Sequence, residues 1–186
     1  MRSFEFVRAM DERGVRIEGS RQYEDAQLPE YQTAGSAAAD FFCAEDTVVP
    51  SIWKLLLRNI RTVAGRRHTV SFRKRLCDIR PVLVSTGIRA QMEDDEVLII
   101  ENRSSGPVKR GLVLANGIGV IDRDYYGNPD NDGHIMFAFY NFHFRDVELK
   151  AGERIGQGMF QKVLRPEHGL RIKDESRGGG FGHTGR

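Results

Sequence analysis

The sequence predicts an all-β fold, a sandwich or a jelly roll, from three observations. Its β-rich runs are short, they are bounded by Gly, Pro, Asn or Asp, and they recur along most of the chain. Several short strands separated by turn residues are typical of these two architectures. In chain order, the predicted strands are residues 4–7, 81–84, 97–100, 117–121, 135–140 and 159–163. Residues 150–154 are predicted to be a turn that leads into the last strand.

One segment between the predicted strands has the pattern of a helix. Apolar side chains recur every three or four positions from Ile52 to Val63, with Ser51 as a start and Gly65 as a stop. We interpret residues 51–78 as an insertion that carries its own helix and is mounted on the β core.

The composition excludes several classes of protein. The 28 basic and 26 acidic residues leave a net charge of +2, which is no general signature of polyanion binding. Cys43 and Cys77 are too few for a disulfide framework or a zinc site. The first residues lack a signal-peptide pattern, and no apolar run is long enough to span a bilayer. We therefore expect a cytoplasmic protein with no membrane partner, with one β domain over residues 1–175 and a flexible arm over residues 176–186.

Positive charge is concentrated in residues 54–80. Nine Lys and Arg side chains stand there against Asp78 alone, a local net charge of +8. Charge runs are usually solvated, so the favoured interpretation is a surface helix partly neutralised by the acidic residues 93–96. The alternative is a docking site for a regulatory protein or a nucleic acid.

Two segments have residues suited to a phosphate-binding site. Residues 35–41 are a run of small side chains that contains Asp40. Such a run either lets the backbone come close to a ligand, or packs tightly inside the protein with Asp40 as a turn cap. Arg103, Ser104 and Ser105 directly follow an apolar strand, where a cation, two hydroxyls and backbone amides form either a phosphate-binding corner or an ordinary Ser-rich turn.

A third segment, residues 116–127, has features of a base-binding turn and of a catalytic carboxylate. Asn116 and Gly117 are a strong hairpin signal, and the open backbone of such a turn can bond to a base edge. Asp122 ends an apolar strand and could deprotonate a water if it is held against its target. Asp124 would point to the opposite face if that strand continued. The alternative is two turn aspartates and a core Tyr125.

The last two segments are rich in glycine. Gln157 lies between two glycines at a strand entry, where its amide could reach a ligand or a metal-bound water. Five glycines fall in residues 176–186, too many for a helix or strand. This stretch is either a disordered tail or an arm in which Arg177 pairs with a polyphosphate and Phe181 covers a base.

In this order, the five segments resemble the five motifs of the trimeric dUTPase family, over residues 28 to 186. The matching stretches are Ala37–Asp40, Arg103–Ser105, Gly119–Tyr125, Gly152–Gln157 and Arg177–Gly185. The insertion at 51–78 and the lengthened turn at 128–133 resemble the branch of the family found in Gram-positive bacteria and their phages.

The resemblance implies a β jelly roll that assembles into a homotrimer with three shared active sites. Each site takes motifs from different chains and is closed by the C-terminal arm of a neighbour. The implied reaction is hydrolysis of dUTP to dUMP and pyrophosphate. The implied cofactor is Mg²⁺, held mainly on the substrate phosphates, with Asp40 contacting it through water.

The resemblance also implies a role for each matching residue. Asp122 would activate the attacking water, and Tyr125 would pack on the deoxyribose and exclude a 2′-hydroxyl. Asn116 and the backbone around Gly119 would read the uracil edge. The phosphate contacts would come from Arg103, Ser104, Ser105 and Gln157. The arm residues that would close over the substrate are Arg177, Phe181, Gly182, His183 and Thr184.

Two other functions stay open at this point. The related dCTP deaminase family resembles this chain in fold and in the Arg-Ser-Ser motif, although the third motif and the Phe181 arm favour the hydrolase. A nucleotide-responsive regulatory protein that binds its partner through residues 54–80 is the alternative from a different class.

Overall fold

The computed structural model describes residues 1–64 and 79–168. Their strands are β1 (Ser3–Phe6), β2 (Ala39–Phe42), β3 (Thr47–Val49), β4 (Val82–Ser85), β5 (Ile88–Gln91), β6 (Glu96–Asn102), β7 (Leu112–Leu114), β8 (Ile118–Asp122), β9 (Met136–Asn141), β10 (Val147–Leu149) and β11 (Arg154–Lys162). One α-helix, α1 (Ile52–Ala64), lies between β3 and β4. This confirms the predicted β-rich class. The predictions for the C-terminal arm and for residues 65–78 of the insertion lie outside the described residues.

The strands form small antiparallel sheets. A four-stranded sheet has the order β2-β11-β6-β8, and a three-stranded sheet has the order β4-β9-β7. The remaining strands pair as β1 with β5 and β3 with β10. Strand β11, one of the two inner strands of the larger sheet, therefore has β2 on one side and β6 on the other.

The hydrophobic core lies between the four-stranded and three-stranded sheets. Phe41 and Leu98 come from the first sheet, and Phe137 comes from the second; none of the three is exposed to solvent. The rings of Phe41 and Phe137 are 5.6 Å apart between centroids. A Cβ atom on Gly156 would lie 1.9 Å from the ring of Phe137, so this position on β11 admits only glycine while the ring stays in place. Each buried aromatic or leucine side chain contributes about 1.5–3 kcal/mol to folding.

The helix α1 is bonded to the loop after β9. The Asp146 carboxylate accepts a hydrogen bond from the backbone N–H of Ser51 (2.9 Å) and forms an ion pair with Lys54 (2.8 Å). The indole N–H of Trp53 donates to the carbonyl of Phe142 at 2.9 Å. Among the described residues, no helix is long and apolar enough to cross a membrane.

The acidic residues 93–96 pair with cations outside the insertion, and their predicted neutralisation of residues 54–80 remains a prediction, because residues 65–78 lie outside the described residues. Asp94 pairs with Arg123 at 2.7 Å, and Asp95 pairs with Lys162 at 2.5 Å. Glu96 pairs with Arg2, and Glu93 pairs with the amino terminus. Partner binding by residues 54–80 stays a prediction.

Candidate active site

The site begins with a row of polar side chains across three neighbouring strands. Asp40 on β2 is the register partner of Gln157 on β11, which is in turn the partner of Glu101 on β6. Directly opposed residues of antiparallel strands share a face of the sheet, so the three side chains lie side by side. The Nε2 of Gln157 donates to Glu101 Oε1 at 2.7 Å, which fixes the orientation of the amide.

Two of these positions differ from their predicted surroundings. Asp40 lies within a strand whose four residues are all buried, so the alternative of a turn cap is wrong. Because both faces of β2 are covered, the strand lacks the alternating pattern by which a sequence reveals a half-exposed strand. Gln157 lies inside β11, which begins five residues earlier than predicted, at Arg154.

The Asp40 carboxylate holds two guanidinium groups. It accepts from Arg103 at 3.1 Å and from Arg154 at 3.2 Å, and only 6% of the residue is exposed. A buried carboxylate bonded to two guanidinium groups restricts the positions of both arginines. This geometry makes Asp40 a positioning group for Arg103.

A cleft of about 450 Å³ opens beside Arg103. Its lining residues are Arg103, Ser105, Gly106, Lys109, Arg110, Leu112, Leu149, Glu153, Arg154 and Ile155. Four cations and one carboxylate give the lining an excess of positive charge, and a serine hydroxyl adds a hydrogen-bonding group. Such a surface suits an anion with several oxygens, such as a phosphate chain. Ser104 is exposed on the same turn.

Ser105 is followed by a short helical segment that the sequence does not predict. Residues Gly106–Arg110 form one π-helical turn with Pro107 near its start, and Gly111 ends it in the left-handed conformation (φ +62°). Proline is well suited to a first helical turn, since it needs no hydrogen bond there. A Cβ on Gly111 would lie 2.8 Å from the backbone nitrogen of His143, so glycine is required at this end.

Asn116 lies on an exposed turn at the same end of the sheet as Arg103. The turn is closed by a hydrogen bond from the Gly117 N–H to the Leu114 carbonyl (3.0 Å), and Gly117 has φ +69°. The predicted hairpin is wrong, because β7 pairs with β9 and β8 pairs with β6, so the turn joins strands of two sheets. At Gly119, a Cβ would lie 2.4 Å from Ile100, so glycine allows β8 to approach β6 closely.

Asp122 lies at the opposite end of β8. Its register partner on β6 is Val97, six positions before Arg103. At about 3.3 Å per residue, the backbones of Asp122 and Arg103 are roughly 20 Å apart. Asp122 is exposed, and the strand stops there, because Arg123–Tyr125 form a 3-10 turn. The premise that Asp124 continues the strand on the opposite face is therefore wrong.

Tyr125 is held at its hydroxyl end. Only 5% of the residue is exposed, and its Oη donates to the carbonyl of His134 (3.2 Å) and accepts from Asn131 Nδ2 (2.7 Å). The hydroxyl is therefore engaged inside the protein, and the position of the side chain is fixed at that end.

A buried ionic network holds the turn after Tyr125 against the rest of the protein, and the sequence does not predict it. Asp132 is 1% exposed and binds Arg89 (2.9 Å) and Arg8 (3.0 Å). Arg89 also pairs with Glu5 at 2.6 Å and lies over the ring of Tyr126, 4.5 Å from its centroid. Burial and a hydrogen bond donated to Glu5 raise the pKa of Tyr126. No sequence signal distinguishes Asp132 from the other turn residues around it.

His134 is a second buried polar residue beside this network. It is 1% exposed, and its Nε2 accepts a hydrogen bond from the Gly87 N–H at 2.9 Å. Burial lowers the pKa of His134 to about 4, because the charged imidazolium would lose its hydration. The imidazole is therefore neutral at physiological pH.

The structure thus brings Asp40, Arg103, Ser105 and Gln157 together and separates Asp122 from them. In the described parts of the chain, 1–64 and 79–168, no group of three or more His, Cys, Asp or Glu side chains could hold a metal ion. The predicted arm contacts lie beyond the last described residue. They are Arg177, Phe181, Gly182, His183 and Thr184.

Comparisons with known proteins give a consistent result. The dUTPase family model matches residues 76–185. The deoxyuridine 5′-triphosphate nucleotidohydrolase of Lactococcus lactis is 48% identical over 103 residues, which are 55% of this chain and 69% of that protein. The enzyme of the same name from Hydrogenobaculum sp. is 32% identical over 168 residues, covering 87% of this chain and 92% of its own.

Solved structures agree with these matches. The crystal structure of the Streptococcus mutans dUTPase has a TM-score of 0.63 at 33% identity, covering 89% of this chain and 99% of that chain. The dUTPase of Staphylococcus aureus phage phi11, whose structure visualises a species-specific insert, has a TM-score of 0.58 at 15% identity and covers 94% and 99%. This second likeness concerns the fold alone, and the first confirms the predicted jelly roll. Since the family model spans more than half of the sequence and a full-length relative exceeds 30% identity, the chain belongs to the dUTPase family.

Proposed function

We propose that this protein hydrolyses dUTP to dUMP and pyrophosphate. The observation that carries the proposal is the cationic cleft beside Arg103, whose guanidinium is fixed by the buried Asp40, in a chain of the dUTPase family. In the reaction, a water oxygen bonds to the α-phosphorus, and the bond from that phosphorus to the bridging oxygen of the pyrophosphate breaks. The proton of the water passes to Asp122.

The triphosphate lies along the cleft. Arg103 forms charge-assisted hydrogen bonds to phosphate oxygens, with the hydroxyls of Ser104 and Ser105 beside it. Gln157 contacts the phosphate region, and its bond to Glu101 supports a single amide orientation. Since phosphoryl displacement is catalysed mainly by positioning and charge neutralisation, this fixed set of donors accounts for much of the rate.

The active site is shared between subunits of a homotrimer. The backbones of Arg103 and Asp122 in one chain are roughly 20 Å apart along the sheet, which supports this arrangement. A phosphate chain bound to Arg103 would leave its α-phosphorus too far from a water held by Asp122 of the same chain. Asp122 of one subunit then faces the phosphate cleft of another. The arm residues Arg177, Phe181, Gly182, His183 and Thr184 close over the substrate and exclude bulk water.

The base and sugar are recognised near the third motif. Asn116 and the backbone around Gly119 bond to the uracil edge, and a cytosine would leave buried polar groups unpaired there. Tyr125 presents its ring to the deoxyribose, since its hydroxyl is bonded inside the protein. A 2′-hydroxyl would then collide with the ring.

The described residues fit a Mg²⁺ ion carried by the substrate better than one held by the protein. No cluster of three potential ligands is present in residues 1–64 and 79–168, and the Asp40 carboxylate is engaged by two guanidiniums. Bound to the triphosphate oxygens, the ion would supply charge neutralisation. This geometry does not favour Asp40 as a contact to metal-bound water.

The proposal is tested by turnover of a nucleotide panel with Mg²⁺. We expect rapid pyrophosphate release from dUTP and little from dCTP, dTTP or UTP. Asp122→Asn lowers the rate by roughly 10²-fold or more, because the positioned base is lost. Asp25→Asn removes an exposed carboxylate elsewhere and leaves the rate unchanged. Ammonia released from dCTP would instead indicate a deaminase, and no turnover of any nucleotide would contradict catalysis.

A further inference from the structure

We propose that Asn131 positions Tyr125, and that the lengthened turn at residues 128–133 is therefore an element of sugar selectivity. The inference rests on the proposed function, in which the ring of Tyr125 excludes a 2′-hydroxyl. Asn131 belongs to none of the five motifs, and the sequence assigns it no role beyond lengthening the turn.

The hydrogen bonds of Asn131 fix both ends of its amide. Its Oδ1 accepts from the backbone N–H of Gly133 at 3.1 Å, so the Nδ2 end must face the other way. There it donates to Tyr125 Oη at 2.7 Å. The hydroxyl proton of Tyr125 is directed to the carbonyl of His134 at 3.2 Å. The Tyr125 Oη is thus held from two sides, by Asn131 of the turn and by the residue that follows the turn.

The turn also packs directly against the backbone of Tyr125. The Asn128 N–H donates to the Tyr125 carbonyl at 3.1 Å. Gly133 has φ +76°, and a Cβ atom on it would lie 2.4 Å from that same carbonyl oxygen. Glycine is required here by both conformation and space, so the close contact is built into the chain.

Fixed points on either side of Asn131 hold the turn against the rest of the protein. Before it, the carbonyl of Asp130 accepts from the Gly19 N–H at 2.8 Å. After it, the buried Asp132 binds Arg8 and Arg89 and has a positive φ of 59°. With both neighbours held in this way, Asn131 can transmit a fixed position to the tyrosine hydroxyl.

A fixed hydroxyl matters because the discrimination is steric. The 2′-hydroxyl of a ribonucleotide adds only one oxygen atom to the sugar. A small displacement of the Tyr125 ring is therefore enough to make room for it. Without the Asn131 bond, Tyr125 Oη loses one of the two hydrogen bonds that hold it, and the ring gains freedom to move. The predicted effect is a loss of selectivity, seen as a higher kcat/KM for UTP.

The test compares kcat/KM for dUTP and UTP in Asn131→Ala. We expect the dUTP-to-UTP ratio to fall roughly tenfold, mainly through the UTP value. Asn131→Asp lowers the ratio as well, because the single hydroxyl proton of Tyr125 cannot be donated to both the new carboxylate and the His134 carbonyl. Tyr125→Phe removes the same bond while preserving the ring, so it lowers the ratio too. Adding Asn131→Ala to Tyr125→Phe then produces no further loss.

The control is Asn128→Ala, which removes a buried amide from the same turn but no contact of Tyr125 Oη. An equal fall in its ratio would show that general loosening of the turn is responsible, and would overturn the inference. An unchanged ratio in both Asn131→Ala and Tyr125→Phe would overturn it as well. Failure of the proposed function has a different signature, namely a wild-type protein that does not hydrolyse dUTP.

Discussion

Individual polar residues decide how the motifs of this protein are presented. Asp40 is buried and binds both Arg103 and Arg154, so the side chain of Arg103 is oriented before any ligand arrives. Preorganised donors need no rearrangement during the reaction, which is why they lower the barrier. The same logic applies to Tyr125, whose hydroxyl is bonded on two sides.

At the same scale, His134 makes the stability of the protein depend on pH. Its pKa is about 4 when folded and 6.5 when exposed, so between these values only the unfolded chain binds the proton. The free energy of unfolding is therefore unaffected by His134 above about pH 6.5. As the pH falls from 6.5 towards 4, protonation of His134 in the unfolded chain lowers that free energy by on the order of 3 kcal/mol. Denaturant unfolding between pH 7 and 4.5 measures this slope.

The matched variant for this prediction is His134→Gln. Its amide oxygen can still accept from the Gly87 N–H, but it does not titrate. We expect the variant to be less sensitive to acid across this range. An identical pH dependence in the two proteins would show that other groups are responsible.

At the level of elements, the four-stranded sheet places the site. Strand β11 brings Gln157 between Asp40 on β2 and Glu101 on β6, and its glycines let the core close over it. Gly156 is the most constrained of these, since a Cβ there would lie 1.9 Å from the Phe137 ring. The position of the Gln157 amide and the packing of the core therefore depend on the same strand.

This close approach predicts that Gly156→Ala is destabilising. The added methyl group forces Phe137 or the strand to move, and overpacking of this kind costs about 1–3 kcal/mol or more. Gly35→Ala is the control, because a Cβ there would meet no atom within 4 Å. Unfolding free energies of the two variants and the parent, measured in denaturant, should differ only for Gly156→Ala; equal values would contradict this packing.

The sequence predicts regular elements better than the contacts between them. Six strands and the helix at residues 52–64 are found from apolar runs and periodicity, with boundaries shifted by a few residues. The sequence does not reveal strand β2, because both its faces are buried, and it wrongly predicts a hairpin at Asn116, because the flanking strands pair with other partners. The five motifs indicate the chemistry, but the ion pairs of Asp40 join residues far apart in sequence, and the bond from Asn131 to Tyr125 depends on the conformation of the turn between them.

For the whole molecule, the central consequence of the proposed function is that one chain alone does not assemble the site. Arg103 and Asp122 lie near opposite ends of β6 and its neighbour, roughly 20 Å apart. A ring of identical subunits solves this, because each contact places one end of a subunit beside the other end of the next. Activity then belongs to the assembly and depends on two different surfaces of each chain.

The most direct test mixes two inactive variants, Arg103→Ala and Asp122→Asn, by refolding them together. Each alone is expected to lose roughly 10²-fold or more in dUTP hydrolysis. In mixed trimers, a site that takes Arg103 from one subunit and Asp122 from another regains both groups, so an equal mixture should recover roughly a quarter of wild-type activity. If the mixture forms mixed trimers but hydrolyses dUTP no faster than the separate variants, both groups act within one chain and the shared site is contradicted.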